Sequence, residues 1–220
     1  MLVSKGVTKS YGSLKVLKGI DLEVKKGEIV SIVGASGAGK STLLHILGTL
    51  DTPDTGNLLL GKENLLKFSS NQLAKFRNQK VGFIFQFHNL LPEFTALENI
   101  CIPGFIGGRQ KTEVEDEGRR LLDLLNLGDR IDHKPSQLSG GEQQRIAVAR
   151  ALINQPDIVF ADEPSGNLDS KNASELHDLF FELRDRLGHT FVIVTHNEEL
   201  ASKADRSLEI RDGLIVNILR

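Results

Sequence analysis

The 220-residue sequence has no tryptophan, one tyrosine, one methionine and one cysteine. A lone cysteine, Cys101, excludes an intrachain disulfide and, with no second cysteine beside it, a Cys-X-X-Cys redox or zinc motif; it reads as a small buried hydrophobe. Also missing is any apolar run near the roughly 20 residues that span a bilayer. The start, Met1-Leu2-Val3-Ser4-Lys5, lacks the apolar stretch and cleavage site of a signal peptide. These absences predict a soluble chain that stays in the cytosol. No charge of one sign dominates: Lys plus Arg is 27 against 29 for Asp plus Glu, a net charge of −2. That balance disfavours a polybasic nucleic-acid binder, and 40% hydrophobic with 25% charged residues disfavours disorder or collagen. The length predicts one domain, with room for an added lobe.

What is present alternates. Short β-branched or aromatic runs at Ile29 to Val33, Val81 to Phe85, Ile158 to Ala161 and Phe191 to Val194 read as buried parallel strands. Helical stretches lie between them: Lys40 to Leu50, Thr112 to Leu127 and Asn172 to Leu187. In the second of these, Val114, Leu121, Leu122, Leu124 and Leu125 favour one face. The alternation predicts an α/β fold. Residues 1 to 28, with Val3, Val7, Leu22 and Val24 among polar neighbours and turns at Gly12 and Gly27, predict a small antiparallel sheet at the front. Residues 87 to 154 are helical without a convincing strand and read as an inserted α-helical lobe, leaving about 1–86 and 155–220 as the β and parallel-sheet core of a single domain. Leu208 to Ile210 and Leu214 to Ile218, joined at Asp212-Gly213, predict a closing hairpin.

Three strings carry chemistry. Gly34-Ala35-Ser36-Gly37-Ala38-Gly39-Lys40-Ser41-Thr42 follows an apolar strand and opens a helix, the context that a G-x-x-x-x-G-K-[ST] phosphate loop demands. Its glycines let N–H groups curl around phosphate oxygens, Lys40 adds a point charge, and the Ser41 hydroxyl suits Mg²⁺. Ile158 to Ala161 runs into Asp162 and Glu163, placing carboxylates at the carboxyl edge of a parallel sheet, where ligand sites lie. Asp162 suits Mg²⁺ through its water shell, and Glu163 suits a proton acceptor for a water attacking a γ-phosphate. Leu138-Ser139-Gly140-Gly141-Glu142-Gln143-Gln144-Arg145 opens a helix with Ser139 as N-cap and Glu142 completing a capping box. The double glycine in its first turn is costly for a mere cap, which points to phosphate contact and a second anion cradle.

The phosphate loop, Gln86 after a strand, the Leu138 to Arg145 segment, the Asp162-Glu163 strand end, Ser165-Gly166-Asn167-Leu168-Asp169 and His196 occur in the order characteristic of ATP-binding cassette (ABC) transporter ATPases. Nearly the whole chain resembles that family. The resemblance implies a RecA-like P-loop NTPase core that binds and hydrolyses ATP with Mg²⁺ held by Ser41, Gln86 and Asp162. It implies a head-to-tail pair of copies with ATP between the phosphate loop of one and the Ser139 to Glu142 helix start of the other. It also implies roles: Tyr11 stacking on adenine, with Val16 beside the base or ribose; Gln86 touching Mg²⁺ and the attacking water; His196 reaching the γ-phosphate; and Asp169 linking the two sites across the dimer. Tyr11 otherwise reads as a surface strand aromatic, and Asp169 as an N-cap.

Phe83, Phe85, Phe87, Phe94 and Phe105 supply five of the 11 phenylalanines and read either as the lobe's own core or as a partner groove. In the family this region receives short helices from the membrane subunits. The string Arg77 to Ile100, with Phe87-His88 after Gln86, resembles the ATPase of the bacterial lipoprotein-releasing branch. That branch implies two ATPase copies with two integral membrane subunits, placed peripherally on the cytoplasmic face of the inner membrane. Lipoprotein cargo would never touch the ATPase, and no nucleic acid is implied. Macrolide-efflux and cell-division ATPases share Gly166-Asn167-Leu168-Asp169 and stand as the alternative. Ser165 replaces the Thr usual in the lipoprotein branch, and Gln143 is closer to the cell-division relatives.

Overall fold

The computed structural model describes residues 1–219. The chain opens with β1 (Leu2–Tyr11) and β2 (Leu14–Val24), an antiparallel hairpin that turns at Gly12, where φ is +59°. Next come β3 (Ile29–Val33), α1 (Lys40–Leu47), β4 (Thr55–Leu60), β5 (Glu63–Asn64), α2 (Ser70–Lys80) and β6 (Val81–Phe85). Three helices follow: α3 (Ala96–Ile106), α4 (Lys111–Leu124) and α5 (Gly140–Leu152). The remainder is β7 (Ile158–Asp162), α6 (Ser170–Leu187), β8 (Phe191–Val194), α7 (Glu198–Lys203), β9 (Arg206–Arg211) and β10 (Leu214–Leu219).

These strands make two sheets. One is antiparallel, ordered β2-β1-β4-β5; the other is ordered β10-β9-β3-β8-β7-β6 and is parallel except for β10, which closes it antiparallel to β9. The parallel strands are buried on both faces, which is why they read as unbroken apolar runs. Their side chains alternate between two cores with the period of two that a strand imposes. Ile158, Phe160, Val192 and Val194 face a core shared with α1 and the antiparallel sheet. Val159, Ala161, Phe191 and Ile193 face a second core closed by α3, α4, α5 and α6. Each face buries its own partner layer, so the central sheet is the platform on which every loop at its carboxyl edge is fixed.

The α/β class, the front antiparallel sheet and the closing hairpin match the reading of the sequence, and differences fall at ends and in short elements. The helix expected over Lys40 to Leu50 stops at Leu47, because Thr49 turns the backbone to φ +62°; Gly48 before it lies against Phe83, where a Cβ would sit 2.2 Å from the ring. The helix expected to reach Leu127 ends at Leu124, with Asn126 at φ +57°. Val114, Leu121, Leu122 and Leu125 are buried, and Leu124 packs at the margin of the same core. The helix expected from Asn172 starts two residues earlier, at Ser170, capped by Asp169. β4, β5, α2 and α7 carry too few periodic residues to announce themselves; α2 buries no residue fully and rests on the core only through Leu73 and Phe76.

Candidate functional site

β3 ends at Val33 between β9 and β8, and the backbone turns into α1 over the segment Gly34 to Gly39. Two positions in that turn admit only glycine. Gly34 has φ +147°, and a Cβ there would lie 2.2 Å from the Ile210 carbonyl oxygen; Gly39 has φ +103°, and a Cβ would lie 2.9 Å from Leu17. No side chain caps α1, so its first-turn N–H groups remain available to an anion. Lys40 is buried and curls back, its Nζ donating to the carbonyls of Gly34 at 2.9 Å and Ala35 at 3.0 Å and standing 3.4 Å from His196 Nε2. The loop therefore closes around its own lysine.

The acidic strand end arrives beside it. Ser41 Oγ donates to Asp162 Oδ1 at 3.1 Å, and His45 Nε2 lies 3.8 Å from Asp162 Oδ2. Glu163 sits at φ +46°, a strained conformation for a residue with a Cβ, held by its amide donating to the Val194 carbonyl at 2.9 Å. Its Oε2 accepts the His196 amide at 3.1 Å. Its Oε1 is buried without a hydrogen bond, and the His196 ring nitrogen stands 3.2 Å away off the bonding direction. An unpaired buried carboxylate oxygen is expensive and marks a place prepared for a donor. Lys40, Ser41, Glu163 and His196 line one cavity of about 420 Å³ together with Tyr11, Val16, Ser36, Gly37, Gly39 and Thr42.

Tyr11 is half exposed at the tip of β1, its hydroxyl donating to Asp51 Oδ2 at 2.6 Å. Val16 is half-buried on β2 against the loop's Gly39. Gln86 turns toward the loop after β7: its Nε2 donates to Asn167 Oδ1 at 3.0 Å while Asn167 Nδ2 donates back to the Gln86 carbonyl at 3.2 Å. Gly166 leaves the space this pair needs, since a Cβ there would lie 2.9 Å from Gln86 Nε2.

The second cradle stands apart, for none of Ser139, Gly140, Gly141, Glu142 or Asp169 lines the Lys40 cavity. Ser139 caps α5 in a full capping box: its Oγ accepts the Glu142 amide at 3.3 Å, and Glu142 Oε2 accepts the Ser139 amide at 2.8 Å. The Ser139 amide, then the Arg130 guanidinium at 2.8 Å, hold the Glu142 carboxyl below its ordinary range. Gly141 meets α6, where a Cβ would lie 2.5 Å from Asn172 Oδ1. Asp169 caps α6 by accepting the Asn172 amide at 2.9 Å, which holds its carboxyl low. Both structural readings, cap and capping box, thus describe these residues within one chain.

Of the phenylalanines, Phe83 and Phe85 stack on each other, and Phe83 also stacks on the core ring of Phe160. Phe87, Phe94 and Phe105 are exposed. Phe83, Phe85 and Ile106 line a groove of about 530 Å³ between the sheet and the helices. Asp51, Lys9, His45 and Asn167 also hold the site's side chains in place. Only Asn167 had a local signal, its place in the Gly166 to Asp169 string; Asp51 and Lys9 meet across 42 residues.

The family model described as ABC transporter matches residues 17–166. The lipoprotein-releasing system ATP-binding protein LolD of Bacteroides fragilis is 58% identical, covering 98% of this chain and 100% of that protein. LolD of Cytophaga hutchinsonii is 60% identical over 98% and 99%. The dimeric structure of an ATP-binding cassette in a post-hydrolysis state, bound to ADP and Pi, superposes with a TM-score of 0.91 at 39% identity, covering 100% of this chain and 98% of that one. With the Gly34 to Thr42 loop, the strand-end carboxylate of Glu163 and His196 meeting at one cavity, the chain belongs to the ABC transporter family, as an ATPase cassette.

Proposed function

We propose that this chain is the ATP-hydrolysing motor of a lipoprotein-releasing ABC transporter, working as a head-to-tail pair on two integral membrane subunits at the cytoplasmic face of the inner membrane. The observation that carries the chemistry is the convergence of Lys40, Ser41, Glu163 and His196 on one cavity. The lipoprotein branch rests on the 58% to 60% identity to LolD over almost the full length of both chains. No helix among the described residues is long and apolar enough to cross a membrane, and in this reading the force passes to the membrane subunits. The Phe83–Phe85–Ile106 groove is where a short helix of such a subunit would seat, and the cargo would not touch this chain.

In this reading the free N–H groups of Gly34 to Thr42 hold the phosphates of ATP, and Lys40 leaves its own loop carbonyls for the β and γ oxygens. Ser41 and Asp162 offer paired oxygen donors, the kind Mg²⁺ takes. Among the described residues no cluster of three His, Cys, Asp or Glu side chains forms a self-sufficient metal site, which suits an ion that arrives with the phosphates. When bound, Mg²⁺ neutralises charge on the phosphate oxygens. The unpaired Glu163 Oε1 accepts a proton from the attacking water, while His196, bonded to Glu163 through its backbone, orients that water and the γ-phosphate. Gln86 would join Ser41 and Asp162 by leaving Asn167. Ser139 to Glu142 of the second copy would close over the same nucleotide, with Asp169 linking the two sites, and Tyr11 and Val16 would pack on the base.

The test is to purify the tagged chain in mild detergent from its native membrane and identify its companions by mass spectrometry. Two membrane subunits that, with this chain, release lipoproteins from vesicles in an ATP-dependent reaction are the expected result. A macrolide-efflux or cell-division partner overturns the cargo while keeping the chemistry.

A further inference from the structure

Tyr11 is half exposed, yet its phenol is fastened, and the fastening comes from outside the phosphate loop. Its hydroxyl donates to Asp51 Oδ2 at 2.6 Å, and the other oxygen, Oδ1, accepts Lys9 Nζ at 2.7 Å. Lys9 also donates to the Thr52 carbonyl at 2.6 Å and places its ammonium 5.1 Å from the Tyr11 ring centroid. A cation at that distance occupies one face of the ring, so a flat ligand is left the other. Asp51 itself is tied to α1, because its amide and that of Leu50 both donate to the His45 carbonyl, at 3.2 and 2.8 Å. α1 is the helix that carries Lys40 and Ser41. The carboxylate therefore joins the aromatic at the tip of β1 to the helix whose first turn borders the same cavity.

We propose that Asp51, braced by Lys9, is the positioning residue that holds the Tyr11 ring as the base-stacking platform at a set distance from the phosphate loop. The inference rests on the reading of Tyr11 as the residue beneath the base. An unfastened surface tyrosine spends its free energy of stacking on being ordered; a ring already ordered does not. Ser10 reinforces the arrangement, its amide donating to Asp54 Oδ2 at 2.7 Å on the same segment. The hydrogen bond to Asp51 also pushes the Tyr11 phenol and the Lys9 ammonium above their ordinary values.

A comparison of ATP with inorganic triphosphate, which has phosphates but no base, separates positioning from damage to the fold. Asp51→Ala is expected to weaken ATP about three- to ten-fold, the worth of an ordering hydrogen bond, while triphosphate affinity stays unchanged. Asp51→Asn, which keeps an acceptor, recovers part of the loss. Added to Tyr11→Ala, Asp51→Ala costs nothing more, the non-additivity of two residues acting through one ring. Because Tyr11 is the only tyrosine in a chain without tryptophan, its phenolate absorbance can be titrated alone, and its midpoint falls in Asp51→Ala. Equal loss of ATP and triphosphate affinity in both Asp51 variants overturns the inference, as does full ATP affinity in Asp51→Ala when Tyr11→Ala is impaired. Full ATP affinity in Tyr11→Ala overturns the underlying reading of Tyr11 as well.

Discussion

Glu163 concentrates two structural costs in one residue. Its backbone is held at φ +46° and its Oε1 is buried without a hydrogen bond, two expenses that a solvated strand-end acid would avoid. Glu163→Gln should therefore leave ATP binding intact and lower turnover about 10²- to 10⁴-fold, the usual worth of a general base. Normal hydrolysis by the variant would remove Glu163 from the reaction. Cys101 is the opposite case, a residue whose chemistry has been silenced. It is buried, and burial pushes its thiol up to about 11. A disulfide reagent at pH 8 should label it only after unfolding by urea; fast labelling of the native protein contradicts that burial.

At the scale of elements, caps decide where the helices begin. Thr95 caps α3 with its Oγ1 accepting the Glu98 amide at 3.2 Å and Glu98 Oε2 accepting the Thr95 amide at 2.8 Å, a complete capping box. Thr95→Ala should cost about 0.5–2 kcal/mol, read as a lower urea midpoint with unchanged slope. The start of α5 has the same local form, so its capping box alone does not distinguish it from α3. What distinguishes it is Gly140-Gly141, and Ser139→Arg tests the difference. That variant should abolish hydrolysis while each monomer binds nucleotide through its own phosphate loop; undiminished turnover rules out a site shared between copies. Element ends were the least legible part of the sequence. α1 stops at Leu47 with Gly48 against Phe83 and Thr49 at φ +62°, and the first of these joins residues 35 positions apart that no local pattern announces. α2 sets only Leu73 and Phe76 partly against the core, too few to show an apolar stripe.

For the molecule as a whole, acid is the sensitive direction. His88, His177 and His189 are each held below the ordinary 6.5, in every case chiefly by burial, which disfavours the charged ring. The unfolded chain then takes up protons before the folded one. The contribution of these rings is full above about pH 6.5 and is lost as pH falls below it toward their folded values. The urea midpoint should drop between pH 7.5 and pH 5, and His177→Gln, which keeps a donor toward Ser165, should flatten part of that slope; an unchanged slope argues against burial of a neutral ring at 177. Assembly is the other property of the whole. Glu163→Gln with ATP should run as a dimer on a sizing column and return to monomer with ADP; a monomer at saturating ATP overturns the head-to-tail pair.

The sequence alone specifies the parallel strands, the phosphate loop and the acidic strand end, because each is written in contiguous residues. A strand buried on both faces must be an apolar run, and a phosphate loop needs its glycines and lysine at set intervals. It also specifies the local caps, since Ser139 with Glu142 and Asp169 with Asn172 lie three residues apart. Which of these groups meet is settled by the packing of the sheet and its helices. Asp162 reaches Ser41 across 121 residues, His196 reaches Lys40 across 156, and Gln86 pairs with Asn167 across 81. Such distances are closed by the order of strands in the sheet, which brings the carboxyl ends of β3, β7 and β8 to one edge. Hydrogen bonds between remote side chains depend on that packing, and leave no periodicity in the sequence from which to read them.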